Sequence, residues 1–121
     1  MGSVINEINI DCADPERVAQ FWGEVLGWQP QSNEEYFWMC ASGNPEDGGL
    51  ILVFAEVPEP KTVKNRVHID LSPKGSDQAQ ELERLLRLGA RHVDIGQGEV
   101  PWFVLADPEG NEFCLLARRR D

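Results

Sequence analysis

Apolar and polar residues alternate along positions 4–12, where Ile8 and Ile10 are set between Glu7, Asn9 and Asp11. A period of two over this length predicts a half-buried strand. Asp14-Pro15 follows, a side-chain acceptor for an N-cap and then a proline suited to the first helical turn. Val18, Phe21, Trp22 and Val25 recur at helical spacing. They predict a helix with one apolar face, ended by Gly27 in the left-handed conformation. Residues 35–41 and 50–55 are rich in aromatic and branched side chains and read as strands. The polar stretch 42–49 between them holds Gly43, Pro45, Gly48 and Gly49 and reads as a loop. The prolines of Val57-Pro58-Glu59-Pro60-Lys61 predict an extended connector.

The pattern then begins again. Residues 66–72 predict a strand. Ser76 is a candidate N-cap for a second helix, whose apolar face is Ala79, Leu82, Leu85 and Leu86 and whose end is Gly89. Residues 92–95, 102–106 and 112–117 predict three further strands. The last two are joined by Asp107-Pro108-Glu109-Gly110, with proline and glycine at turn positions. The repeat has a definite spacing: Gly27 and Gly89 are 62 residues apart, Leu50 and Glu112 also 62, and Glu7 and His68 61. Each half is too small to bury a good core alone, so two halves are expected to pool their sheets. The expected fold is α+β: two βαβββ modules, about 4–56 and 64–118 with a connector at 57–63, forming one domain with a cup-shaped mixed sheet lined from both halves.

Length and composition narrow the function classes. The chain has 121 residues, 41% apolar and 26% charged, which suits one ordinary folded domain. Its net charge of −10 disfavours nucleic acid and anionic membrane surfaces as partners. No apolar run approaches the roughly 20 residues that span a bilayer, and no basic-then-apolar leader opens the chain. Cys12, Cys40 and Cys114 are an odd set with no CxxC spacing, read as buried reduced thiols of a cytoplasmic protein. No phosphate-binding glycine loop, serine nucleophile elbow or cysteine–histidine pair is present.

Three segments carry a resemblance. They are Asp14-Pro-Glu-Arg-Val-Ala-Gln-Phe-Trp22 with Leu26-Gly-Trp28, Lys64-Asn-Arg-Val-His-Ile-Asp-Leu71, and Asp107-Pro-Glu-Gly-Asn-Glu-Phe-Cys114. From Ile5 to Ala117 the chain resembles the vicinal oxygen chelate superfamily, which includes glyoxalase I, extradiol dioxygenases and bleomycin-resistance proteins. The middle segment and the Phe-Trp pair resemble its glyoxalase-like branch. The resemblance implies metal ligands on the first and last strands of each module. Those slots fall on Glu7, His68 and Glu112, while the fourth falls on Leu50, which cannot bind a metal. It also implies a homodimer.

One histidine and two carboxylates suit zinc, nickel, cobalt or manganese with open positions for substrate. Such an ion would polarise a carbonyl while a carboxylate, Glu112 foremost, moves the neighbouring proton. The reading that follows is a glyoxalase-like lyase or isomerase for a small oxygenated molecule. Its alternative is a metal-free protein that binds or sequesters a small molecule, as bleomycin-resistance relatives do. A cavity lined by Leu50, Trp38, Phe54 and Trp102 serves either reading, since indole and phenyl rings stack on planar ligands. If those rings instead fill the cavity, an interaction module is left. Trp22 is expected in the core. Lys61, Lys64 and Arg66 form a basic cluster that more simply guards an edge strand than attracts an anion. Glu81, Glu83, Arg84 and Arg87 suit a solvated helix face.

Overall fold

Helix α1, Pro15–Leu26, forms because its ends and its face are both encoded locally. The Asp14 carboxylate accepts the Arg17 amide at 3.3 Å, and Gly27 closes the helix at φ 73°, its N–H donating to the Gly23 carbonyl. Val18, Phe21, Trp22 and Val25 are all buried, with Phe21 and Trp22 edge to face at 5.4 Å. The structure, a computed structural model, describes residues 1–120. It divides into two compact units, Met1–Pro60 and the chain from Lys61 onward.

In the first unit α1 is followed and preceded by four strands: β1 Ile8–Cys12, β2 Gln31–Ser32, β3 Tyr36–Cys40 and β4 Ile51–Glu56. They form one sheet in the order β1-β4-β3-β2, with β1 parallel to β4 and the other pairs antiparallel. The second unit repeats this with β5 Ile69–Leu71, α2 Gln78–Leu88, β6 Arg91–His92, β7 Phe103–Ala106 and β8 Glu112–Leu115, in the order β5-β8-β7-β6. The fold is therefore α+β with two βαβββ modules. Cys12, Cys40 and Cys114 are buried and not joined in disulfides. No helix of the described residues is long and apolar enough to cross a membrane.

Several boundaries differ from the sequence expectation, each for a local reason. β1 begins at Ile8 rather than residue 4, because β4 offers it partners only from Leu52 onward. Ile8 is itself 39% exposed. The second helix is capped by Asp77 rather than Ser76: its carboxylate accepts the Gln80 amide at 2.8 Å, and its charge also complements the helix dipole. Of the expected α2 face only Leu85 is fully buried, while Ala79 and Leu86 are exposed. The sheet that follows is built of strands two to four residues long and covers a narrow strip. β6 stops at His92 because Asp94 and Gln97 side chains take the amides of Gly96 and Ile95, each at 2.8 Å, and turn the chain away. The short strand β2 and the 3₁₀ turn Pro45–Asp47 carry no periodicity that would have announced them. Glu81–Arg84 and Glu83–Arg87 do pair along α2, at 2.8 and 3.4 Å.

Gly23 is the tightest point of the first unit. A Cβ there would stand 2.8 Å from Pro30 Cγ and 2.8 Å from the Trp28 carbonyl oxygen. Alanine normally favours a helix by about 1 kcal/mol over glycine. Here the clash with backbone outweighs that gain, and Gly23→Ala is expected to lower stability by about 1–2 kcal/mol. A lower urea midpoint by tryptophan fluorescence would show it, and an unchanged or higher midpoint would contradict it.

Candidate functional site

The site is built on the turn before β8. Asp107 is fully buried. Its Oδ1 accepts the amides of Glu109 and Asn111, both at 2.9 Å, and its Oδ2 accepts the Asn111 side-chain amide at 3.0 Å. This turn holds Asn111 and delivers Glu112 as the first residue of β8. Glu112 is 9% exposed. Its Oε2 receives the Lys61 ammonium at 2.5 Å and its Oε1 the Asn65 backbone amide at 2.6 Å. The Asn65 side chain reaches Asn111 Oδ1 at 3.5 Å. The Asn65 carbonyl lies 2.7 Å from His68 Nε2. A carbonyl oxygen can only accept, so Nε2 carries the hydrogen and a neutral ring keeps its lone pair at Nδ1. These hydrogen bonds also explain why β5 starts at Ile69 rather than 66: the main chain of Asn65 serves side chains, not a ladder.

Burial works against the charge of Glu112. The hydrogen bond from Lys61, that from the Asn65 amide and the Lys61 charge together outweigh it and hold the carboxyl below its ordinary value. Glu112 is thus a poor proton acceptor. Lys61, expected to guard an edge strand, is instead the partner of this carboxylate.

His68 opens onto a cleft of about 270 Å3 lined also by Asp70, Trp102, Cys114 and Leu116. Register explains the grouping: Asp70 pairs with Cys114, and Cys114 with Val104, so these side chains share one sheet face. Trp102 is 37% exposed. The Cys114 thiol is pushed up, first by burial and then by the charge and hydrogen bond of Asp70, while Lys64 opposes this. It stays a protonated wall rather than a nucleophile. Asp70 was not singled out from sequence, although β-strand alternation from His68 points to it; Lys64 was read with Lys61 and Arg66 as a basic cluster, and Cys114 as a buried thiol. A larger depression, about 620 Å3, lies in the first unit beside Glu16, Gln20, Trp28 and Phe37. It is an open groove with exposed glutamates and no imidazole.

The remaining expected residues fall elsewhere. Glu7 precedes β1, is exposed, and its Oε1 accepts the Asn6 side-chain amide at 3.1 Å. Phe54 is completely buried; it pairs with Phe37, which lies beside α1, so it faces the helix and not a cavity. Trp38 is half-buried on the opposite face of that sheet, and Leu50 is 41% exposed just before β4. The registers correct one equivalence. Ile8 pairs with Leu52, and Ile69 with Phe113, the same offset in both units. If Glu7 answers to His68, the residue answering to Glu112 is therefore Ile51 rather than Leu50. Neither can bind a metal.

A divalent ion does not suit the donors as they stand. Both Glu112 oxygens already accept N–H donors, one a full positive charge, and His68 Nε2 is turned to a carbonyl. Among the described residues no three His, Cys, Asp or Glu are gathered into a metal-binding group.

A family model described as a glyoxalase-like domain matches residues 7–116. No curated protein matches the chain. Among solved structures, the fosfomycin resistance protein FosX from Listeria monocytogenes, in complex with Mn(II) and 1S,2S-dihydroxypropylphosphonic acid, has a TM-score of 0.69 at 18% identity, covering 97% of this chain and 91% of that one. A glyoxalase/bleomycin resistance protein/dioxygenase family enzyme from Burkholderia phytofirmans PsJN has 0.61 at 16% identity, covering 91% and 94%. Oxidase ChaP-H2 has 0.64 at 15% identity, covering 98% and 95%. At such identities the likeness is one of fold, which hosts several chemistries. With the repeat, the like strand order of the two sheets and the family match over most of its length, the chain belongs to the glyoxalase-like domain family of the vicinal oxygen chelate superfamily.

Proposed function

We propose that the cleft of the second unit binds a small oxygenated molecule and moves a proton next to its carbonyl, as a lyase or isomerase does, without a resident metal. The observation that carries this is the hydrogen bond from His68 Nε2 to the Asn65 carbonyl, which leaves Nδ1 as the acceptor on a residue lining the cleft. Nδ1 would take the proton from carbon and return it to the neighbouring atom. The Lys64 ammonium, whose charge reaches Cys114 in the cleft wall, would steady the developing oxyanion. Trp102 offers a face to stack on the substrate. In this reading Glu112 is not the base, because its oxygens are engaged and its basicity is lowered.

The test is proton exchange. A panel of α-hydroxyketones and α-ketoaldehydes in deuterium oxide is followed by NMR for exchange of the hydrogen beside the carbonyl. Catalysed exchange that survives EDTA and falls about 100-fold or more in His68→Gln is expected. Exchange abolished by EDTA and restored by Mn(II) would overturn the metal-free reading in favour of a metal held by His68 and Glu112. No exchange with any member would overturn the proton-transfer role.

A second reading rests on Asp70 standing in the same cleft as the exposed Trp102. A carboxylate and an indole suit a planar cation, and the net charge of −10 would draw one in. Sequestration without turnover predicts that an aromatic ammonium quenches tryptophan fluorescence in the wild type and in His68→Gln alike, but not in Asp70→Asn with Trp102→Phe.

A further inference from the structure

We propose that Glu112 is a positioning residue: gripped by Lys61, it holds the main chain of Asn65, and through the Asn65 carbonyl it fixes His68 as the Nε2–H form. This rests on the assignment of His68 as the proton-transferring group, and it accounts for Lys61, Asn65 and Glu112 by roles other than metal binding.

The chain of contacts is continuous. Lys61 Nζ and the Asn65 amide approach opposite oxygens of one buried carboxylate, at 2.5 and 2.6 Å. Such charge-assisted hydrogen bonds are roughly twice as strong as neutral ones. Asn65 gains a second hold through its side chain on Asn111, which Asp107 fixes in turn. A residue pinned at its amide and its side chain has little freedom left at its carbonyl. That carbonyl is the partner of His68 Nε2. In a metal centre of this superfamily the glutamate would face a divalent cation. Here the position on Glu112 is filled by the ammonium of Lys61, which comes from the proline-rich connector, and the positive charge is part of the chain. A free imidazole samples both neutral tautomers; a ring facing a fixed carbonyl does not. The arrangement thus sets which nitrogen can accept a proton, the property an acid–base histidine needs.

The experiment reads the ring nitrogens directly and uses no substrate. The chain has two histidines, His68 and His92, so His92→Gln assigns the signals of protein labelled with 15N-histidine. Where the ring is neutral, wild-type His68 is expected to show only the Nε2–H form. Glu112→Ala and Lys61→Met should bring in a readily measured Nδ1–H fraction while His92 signals stay in place. Glu112→Gln keeps an acceptor for the Asn65 amide but loses the carboxylate grip on Lys61, and should show a smaller Nδ1–H fraction than Glu112→Ala. If Glu112→Ala does not fold, Lys61→Met and Glu112→Gln carry the test. A mixed tautomer in the wild type, or a tautomer indifferent to Lys61→Met and Glu112→Ala, would overturn the proposal. So would broadening of the His68 signals by one equivalent of Mn(II) that Glu112→Gln abolishes, since that would make both residues ligands. Failure of proton exchange with the carbonyl panel would leave these spectra unchanged, so the two readings fail separately.

Discussion

Replacing Asp107 by alanine is expected to lower the unfolding free energy by about 3–5 kcal/mol. The carboxylate is fully buried and serves three N–H groups: two backbone amides and the Asn111 side chain. Alanine leaves all three without that acceptor, and a buried donor without a partner costs about 1–3 kcal/mol. The turn can open to water and recover part of this, which is why the estimate stays below the simple total. Asp107→Asn keeps one acceptor oxygen and should lose less than half as much. Urea unfolding followed by tryptophan fluorescence would measure both. A loss under 1 kcal/mol for the alanine variant would mean that the turn is held by its glycine and proline rather than by Asp107. Because the same turn orients Asn111 and Glu112, ligand binding in the cleft should weaken with it.

Glu112→Ala is expected to cost about 2–4 kcal/mol at neutral pH. It removes the partner of Lys61 and the acceptor of the Asn65 amide at once. The Lys61 side chain is 21% exposed and can turn toward water, so the loss falls short of that for a fully buried pair. The pH dependence has a definite sign. The carboxyl is held below its ordinary value of about 4.5 in the folded state. Its stabilisation is therefore fully present above about pH 4.5 and is lost as pH falls through the lowered folded value. The stability gap between wild type and Glu112→Ala should be level from pH 5.5 to 8 and should close in acid below pH 4.5. Glu112→Gln, which cannot titrate, should show a smaller loss at neutral pH. A gap that widened in acid would show that Glu112 is protonated in the fold and that Lys61 is not its partner.

The local features were legible in the sequence because their causes are local. The Asp14 cap, the apolar face of α1 and the closing Gly27 lie within fourteen residues, and each acts through hydrogen bonds or packing of its own helix. The turn at Asp107 was legible for the same reason. The repeat, and with it the α+β fold of two βαβββ modules, followed from matching spacings rather than from any one residue.

Other residues were not legible, for equally physical reasons. Every residue of Ile51–Ala55 is apolar, so alternation does not tell which side Phe54 faces; only pairing with Phe37 turned it to the helix. Register also moved the equivalence from Leu50 to Ile51, since a shift of one residue reverses the face of a strand. Lys61 and Glu112 are 51 residues apart, and no periodicity couples a connector lysine to a glutamate opening the last strand. Asn65 acts through its backbone, which every residue shares, so its identity carries no sign of that role.

The sequence by itself determined the two helices, the Asp14 cap, the glycine-closed ends, the repeated strand–helix–strand order and the family, because each rests on neighbours within a few turns of chain or on a repeated spacing. Only the tertiary structure decided the site. It placed His68 beside Asp70, Trp102 and Cys114, buried Phe54, and filled the Glu112 carboxylate with Lys61. Those outcomes depend on which distant segments meet across a sheet, and that is set by strand register and connector path rather than by the pattern of any single segment.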